Sequence, residues 1–178
     1  MVSAATLTTP REVAASVVDP EIPVITIDDL GILRNVEIDG DRIVVTITPT
    51  YSGCPAMRQI ADDVVSALNQ AGYPEVEIRT VLAPAWSTDW ISEKGRAKLE
   101  EYGIAPPGRV TDPSVSTPIS MVGRLADLAA HQPTTHQTRC PRCRSTEIRT
   151  VSEFGSTACK ALMVCSACGE PFDRFKEL

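Results

Sequence analysis

The sequence predicts an α+β fold, a small mixed sheet with a strand-helix-strand unit, followed by a C-terminal four-cysteine zinc ribbon. β-branched runs flank Asp39-Gly40, a pair that favours a hairpin turn. Between the second of these runs and a third, apolar residues recur at steps of three and four, the period of a helix with one buried face. Further on, Cys140-Pro141-Arg142-Cys143 and Cys165-Ser166-Ala167-Cys168 are C-x-x-C knuckles separated by 21 residues.

Thr9-Pro10-Arg11-Glu12 has the T-x-x-E capping-box pattern with proline at the first helical position. It opens a short predicted helix that ends at Asp19-Pro20 and carries Val13, Ala14, Val17 and Val18 on one face. Asn35 to Ile38 and Arg42 to Thr48 are the predicted antiparallel strands of the hairpin. Pro55 then starts an amphipathic helix whose apolar face is Met57, Ile60, Ala61, Val64, Val65 and Leu68, stopped by Gly72, Tyr73 and Pro74. Val76 to Leu82 reads as a third strand, parallel to the second because a helix connects them. Ser92 to Tyr102, closed by Gly103, reads as another helix, although Gly95 weakens its propensity. Four prolines and few bulky residues between Ala105 and Pro118 then indicate an extended linker. The expected organisation is residues 1-105 as the α+β domain, 106-137 as a Pro-rich linker with a short helix from Met121 to His131, and 138-178 as the ribbon.

The composition, 43% hydrophobic and 22% charged, suits a folded chain with a buried core. No stretch approaches the roughly 20 apolar residues that cross a bilayer, and Met1 to Pro10 has neither a basic flank nor an apolar segment. A cytoplasmic protein without a membrane partner is expected. In that compartment the six cysteines read as metal ligands or reactive thiols before disulfides. The net charge of -6 argues against a general attraction to nucleic acid and leaves a protein partner as the better fit. Arg139, Arg142, Arg144 and Arg149 form a local basic patch, read as solvated surface.

A C-x-x-C turn places its thiolates on one side of a tight loop, and the paired turns offer Cys140, Cys143, Cys165 and Cys168 as a tetrahedral set for one structural zinc. A module of this size with few large apolar side chains cannot stabilise itself by burial alone, so the metal is expected to hold it together. With every position filled by protein, no site is left for a substrate. Cys159 belongs to neither knuckle and reads either as a small buried residue of the ribbon or as an extra thiol, reactive or serving as a further ligand. His131 and His136, just upstream, read as solvated linker residues.

Cys54 directly precedes Pro55 at the start of the predicted helix, where unpaired amides and the helix dipole favour a thiolate. It reads as a reactive or ligand-competent cysteine, or as a small helix cap. Ligand sites in such sheets form beyond the carboxyl ends of parallel strands, here near Cys54 on one strand and near Trp86 and Trp90 on the other. Asp29, in Asp28-Asp29-Leu30-Gly31, enters the hairpin from the same edge, so Asp29, Thr50, Cys54 and Trp86 are expected to converge on one corner that suits iron, zinc, an iron-sulfur cluster or a protein contact. Neither a nucleophilic triad nor a phosphate loop or dinucleotide fingerprint is legible, and Glu-x-x-His pairs for a di-iron site are missing. The chain is therefore expected not to be an enzyme.

Asp19-Pro20-Glu21-Ile22-Pro23, Asp29-Leu30-Gly31, Gly53-Cys54-Pro55 and the tryptophan segment resemble the iron-sulfur assembly domain of cytosolic and bacterial maturation factors. Thr48-Pro49-Thr50-Tyr51-Ser52-Gly53-Cys54-Pro55, joined to a ribbon containing Phe154 to Lys160 and Cys165 to Phe172, resembles the D-subunit family of bacterial phenylacetyl-CoA epoxidase systems. The resemblance implies an accessory role in phenylacetate catabolism, helping to insert or repair iron or iron-sulfur centres in oxygenase or reductase subunits. It also implies that Asp19, Glu21, Asp29, Thr50 and Cys54 carry the maturation site, with a transient iron or iron-sulfur cluster at Cys54. A non-catalytic scaffold subunit and a zinc-ribbon nucleic-acid binder are the competing readings, and the C-terminal ribbon and an open sheet edge both offer surfaces for a homodimer.

Overall fold

The computed structural model describes residues 9–108 and 138–177. β1 (Leu33–Asp39) and β2 (Arg42–Ile47) pair antiparallel in a register that sets Asp39 opposite Arg42. The connecting loop is thus Gly40-Asp41, one residue on from the expected pair, with Gly40 at φ 62° in the left-handed conformation such a turn requires. β3 (Val76–Thr80) lies parallel to β2, as the helical crossover predicts, and the sheet order is β1-β2-β3. As the central strand, β2 is covered on both faces: Ile43, Val44, Val45 and Ile47 are all buried.

α1 (Pro10–Ala15) starts with the expected capping box, in which the Thr9 side chain accepts from the Glu12 N–H and the Glu12 carboxylate accepts from the Thr9 N–H. It ends before the predicted stop at Asp19. The chain leaves the helix so that Val18 can form a bridge with Thr26, and this leaves Val18 exposed while Ala14 and Val17 stay in the core. α2 (Ala56–Gln70) buries Ala56, Ile60, Val64 and Leu68 on one face, packed against β3 and α1. Cys54 and Pro55 precede its first turn. A single 3₁₀ turn, Thr88–Trp90, leads to α3 (Glu93–Tyr102), whose Gly95 N–H is capped by the Ser92 hydroxyl at 2.9 Å.

The chain divides after Tyr102, and Gly103–Glu177 forms a second unit. Its sheet has the order β4-β7-β6-β5, built from β4 (Ile104–Ala105), β5 (Ile148–Ser152), β6 (Lys160–Cys165) and β7 (Pro171–Phe175). β5 and β6 overlap the strands expected at Thr146 to Val151 and Ala161 to Val164; β7 and β4 are additional. Ile104 and Ala105, placed by the sequence at the end of the first domain, instead pair in parallel with β7. Ala105 is buried in a cluster with Cys140, Ala161, Met163, Cys165 and Phe172. A two-residue strand leaves no periodic signal, and its partner lies far along the chain. The helix expected from Met121 to His131, His136 and most of the Pro-rich linker lie outside the described residues. Among the described residues no helix is long and apolar enough to cross a membrane.

Candidate functional site

The knuckles of the ribbon share one backbone pattern. In the first, the Cys140 N–H donates to the Ser145 carbonyl and the Arg144 N–H to the Cys140 carbonyl, both at 2.9 Å. In the second, Cys165 N–H donates to Glu170 and Gly169 N–H to Cys165, again at 2.9 Å. The fifth residue of each turn is left-handed, Arg144 at φ 64° and Gly169 at φ 75°. These turns bring the sulfurs of Cys140, Cys143, Cys165 and Cys168 within 4.8 Å of one another. The Cys140 to Cys168 separation is 3.8 Å and Cys143 to Cys165 is 3.5 Å. Zinc to sulfur bonds of about 2.3 Å in a tetrahedron give sulfur separations of about 3.8 Å, so the donor set fits such an ion.

Backbone amides also converge on these thiols. Burial pushes Cys165 up, but the Cys168 and Ala167 amides and the Cys143 side chain outweigh it and bring the thiol down to about 7. The Ser145 amide points at Cys143 and the Glu170 amide at Cys168, but there burial and the neighbouring cysteines outweigh the amides and push both thiols up, Cys143 to about 12. Amides aimed at sulfur spread the negative charge that four thiolates concentrate. Cys159 stands outside this cluster. It is buried, with its Sγ 3.0 Å from the Thr157 hydroxyl, in the loop before β6.

The Cys54 site departs from one expectation. The Ala56 amide at the start of α2 does reach the thiol, and the Tyr51 side chain bonds to it as well; both lower its pKa. Burial raises it more, and the carboxylates of Glu21 and Asp19 add to that, so the thiol lies above its usual range rather than below it. Helix position alone therefore gives the wrong direction for the shift, because the sequence does not reveal how far the chain folds over the sulfur. Asp19 is held in place as the acceptor of a tight turn, its Oδ1 taking the Glu21 N–H at 2.8 Å and the Ile22 N–H at 2.9 Å. Glu21, on this turn, acts on the Cys54 thiol through its charge. Tyr51 was not among the expected residues, although its place in the loop before Cys54 put it within reach.

Asp29 is engaged elsewhere. Its carboxylate accepts from the Ser92 hydroxyl at 2.9 Å and from the Lys98 ammonium at 2.6 Å, both on the segment that starts and forms α3. Burial pushes the carboxyl up, yet the bonds from Lys98 and Ser92, with the charges of Lys98 and Lys94, win and hold it below its usual range. The surrounding turn is clamped at several points. Trp86 Nε1 donates to the Leu30 carbonyl at 3.0 Å and the Ser92 N–H to the Asp29 carbonyl at 2.8 Å. Gly31, at φ 71°, lies where a Cβ would sit 2.6 Å from Trp90 Cβ. The charges of Asp19 and Glu21 thus act on the Cys54 thiol and Trp86 bonds to Leu30, while the Asp29 carboxylate binds α3. Thr50 lies half-buried in the loop between β2 and α2. Lys98 and Ser92 left no sequence signal, because they meet Asp29 only through the fold.

Comparison with known proteins accounts for both units. Residues 11–81 match a family model described as iron-sulfur cluster assembly protein, and residues 126–176 match the PaaD zinc beta ribbon domain. A protein of Escherichia coli (strain K12), provisionally named as the D subunit of 1,2-phenylacetyl-CoA epoxidase, is 44% identical over 158 residues, covering 89% of this chain and 85% of that protein. An Fe-S protein maturation auxiliary factor of Porphyromonas gingivalis (strain ATCC BAA-308 / W83) is 38% identical over 86 residues, covering 47% of this chain and 81% of that one. A crystal structure of a DUF59 domain from Bacillus anthracis aligns with a TM-score of 0.47 at 32% identity, over 51% of this chain and 87% of that domain. The chain belongs to the family of phenylacetyl-CoA epoxidase D subunits, in which an iron-sulfur cluster assembly domain precedes a PaaD zinc beta ribbon.

Proposed function

We propose that this protein is a cytoplasmic, non-catalytic accessory factor of phenylacetyl-CoA epoxidation, and that it delivers iron or an iron-sulfur centre to the oxygenase or reductase subunits or repairs one there. The observation that supports this reading is a half-buried thiol at the start of α2 that lies in the electrostatic field of the Asp19 and Glu21 carboxylates. A thiolate and carboxylates are a mixed donor set that accepts iron. The cargo would replace the thiol proton at Cys54, and the raised pKa suits a site that stays neutral between deliveries and does not react with passing electrophiles. Thr50 lies in the loop that carries Cys54, and Asp29 ties its own turn to α3. In the ribbon, Cys140, Cys143, Cys165 and Cys168 would hold one zinc whose role is structural.

The test is the zinc, iron and acid-labile sulfide content of protein purified without oxygen, with and without Cys54→Ser. The expected result is about one zinc per chain in both forms, with iron or sulfide only where Cys54 is intact. Zinc alone in both forms would move the reading to a scaffold role in the oxygenase assembly. The burial of Cys54 is the observation that favours that second reading.

A further inference from the structure

β4 enters the ribbon sheet from far ahead of the first knuckle, outside the residues 126–176 that match the ribbon family. Ile104 stands opposite Asp173 and Ala105 opposite Arg174 on β7. Both are buried, Ile104 at 5% and Ala105 at 1% exposure. Ala105 packs in the cluster that contains Cys140 and Cys165, the buried members of the four-cysteine set, whereas Cys143 and Cys168 are exposed. A strand of two residues makes too few ladder bonds to offset the cost of ordering it, so its docking depends on the surface it meets. That surface includes two of the candidate ligands.

The segment is also tied beyond the strand. Arg174, the register partner of Ala105, pairs with one carboxylate oxygen of Glu177, and the other accepts the Gly108 N–H at 3.1 Å. Pro107, between these points, is buried. On the other side, Gly103 alone separates Ile104 from Tyr102, the last residue of α3. Its φ of 93° makes the change from helix to strand within one residue, which glycine allows at little cost. Residues 104–108 thus form a strap that is fastened to β7 and follows directly on α3.

We propose that docking of this strap and retention of a metal ion at the four cysteines are one coupled event. Ala105 supports the buried ligands Cys140 and Cys165, and the loaded ligands in turn hold the strap on β7. Without an ion the buried sulfurs lose the bonds that fix them, and the strap loses its seat. Such coupling is reciprocal, so whatever loosens the strap weakens the hold on the ion by the same factor. The consequence reaches past the ribbon: with the strap docked, a single residue links α3 to the ribbon sheet, and with it released that link is gone. The metal state of the ribbon thereby sets how the first unit is tethered. The inference rests on the ion proposed for the four cysteines and is independent of the Cys54 site.

The test exposes the full-length chain, zinc-loaded or stripped by a chelator, to chymotrypsin, which cuts after aromatic residues, and identifies the fragments by mass spectrometry. Cleavage after Tyr102 is expected to quicken about tenfold or more on stripping, the scale of a typical coupling, while cleavage after Trp86 and Trp90 keeps its rate. Equal rates after Tyr102 in the two forms overturn the coupling. In the reciprocal arm, Ala105→Glu sets a carboxylate in the cluster and should yield its zinc to a competing chelator about tenfold or more readily. Retention equal to that of the unaltered chain also overturns the proposal. Should Ala105→Glu bind no zinc at all, Glu177→Ala decides, because it unties Gly108 and leaves the cluster intact. Faster cutting after Tyr102 and weaker zinc retention in that variant support the strap, and no change in either counts against it. An unaltered chain that binds no zinc at the four cysteines fails at the earlier step, the proposed structural ion, and the strap falls with it.

Discussion

Asp29 illustrates how one residue can be conspicuous in sequence and take a different part in the structure. Its motif directs attention to a ligand role, but its oxygens face Ser92 and Lys98 and its backbone carbonyl takes the Ser92 N–H. Asp29→Asn keeps the shape and removes the charge that Lys98 opposes. At neutral pH this is expected to cost about 1.5–3 kcal/mol, the range for a hydrogen bond to a charged group. The folded carboxyl has a lowered pKa, so its stabilisation is present above the unfolded value of about 3.9 and is lost as the pH falls through the folded value. The denaturation midpoints of the variant and the parent should therefore converge on acidification. Trp86 and Trp90 are the tryptophans of the chain, and both lie in the first unit, so their fluorescence follows that unit alone. A constant gap down to pH 3 would count against the ion pair.

At the level of elements, α3 shows tertiary packing overriding helix propensity. Glycine inside a helix normally costs about 1 kcal/mol against alanine, so Gly95→Ala would be a stabilising change if α3 stood alone. Here a Cβ would lie 2.9 Å from the Asp29 carbonyl oxygen and 3.1 Å from Ile25 Cδ1. Gly95→Ala is therefore expected to destabilise the first unit by about 1–3 kcal/mol, the usual cost of overpacking. Urea unfolding read by tryptophan fluorescence gives the sign. A gain in stability would show that α3 moves away from the turn at little cost. The glycine that weakens the helix in the sequence is the residue that lets the helix approach Asp29.

For the molecule as a whole, the division after Tyr102 predicts separate responses to metal loss. The ribbon cluster is small and includes the ligands Cys140 and Cys165 among its core residues, so removing the metal takes away part of the core itself. A chelator strong enough to strip the site should abolish the strand signal of β5, β6 and β7 and leave the tryptophan emission of the first unit in place. Cys140→Ser or Cys168→Ser should do the same without chelator. Retained metal and unchanged melting in those variants would exclude the four-cysteine site as the source of ribbon stability.

By itself the sequence determined the capping box of α1, the hairpin, the parallel third strand and the clustering of the ribbon cysteines. Each of these is local, or follows from a spacing that few backbone paths can satisfy. The tertiary structure alone decided the upward shift of the Cys54 thiol, the engagement of Asp29 by Lys98 and the entry of Ile104 and Ala105 into the ribbon sheet. These depend on burial and on partners distant along the chain, for which periodicity and spacing carry no signal.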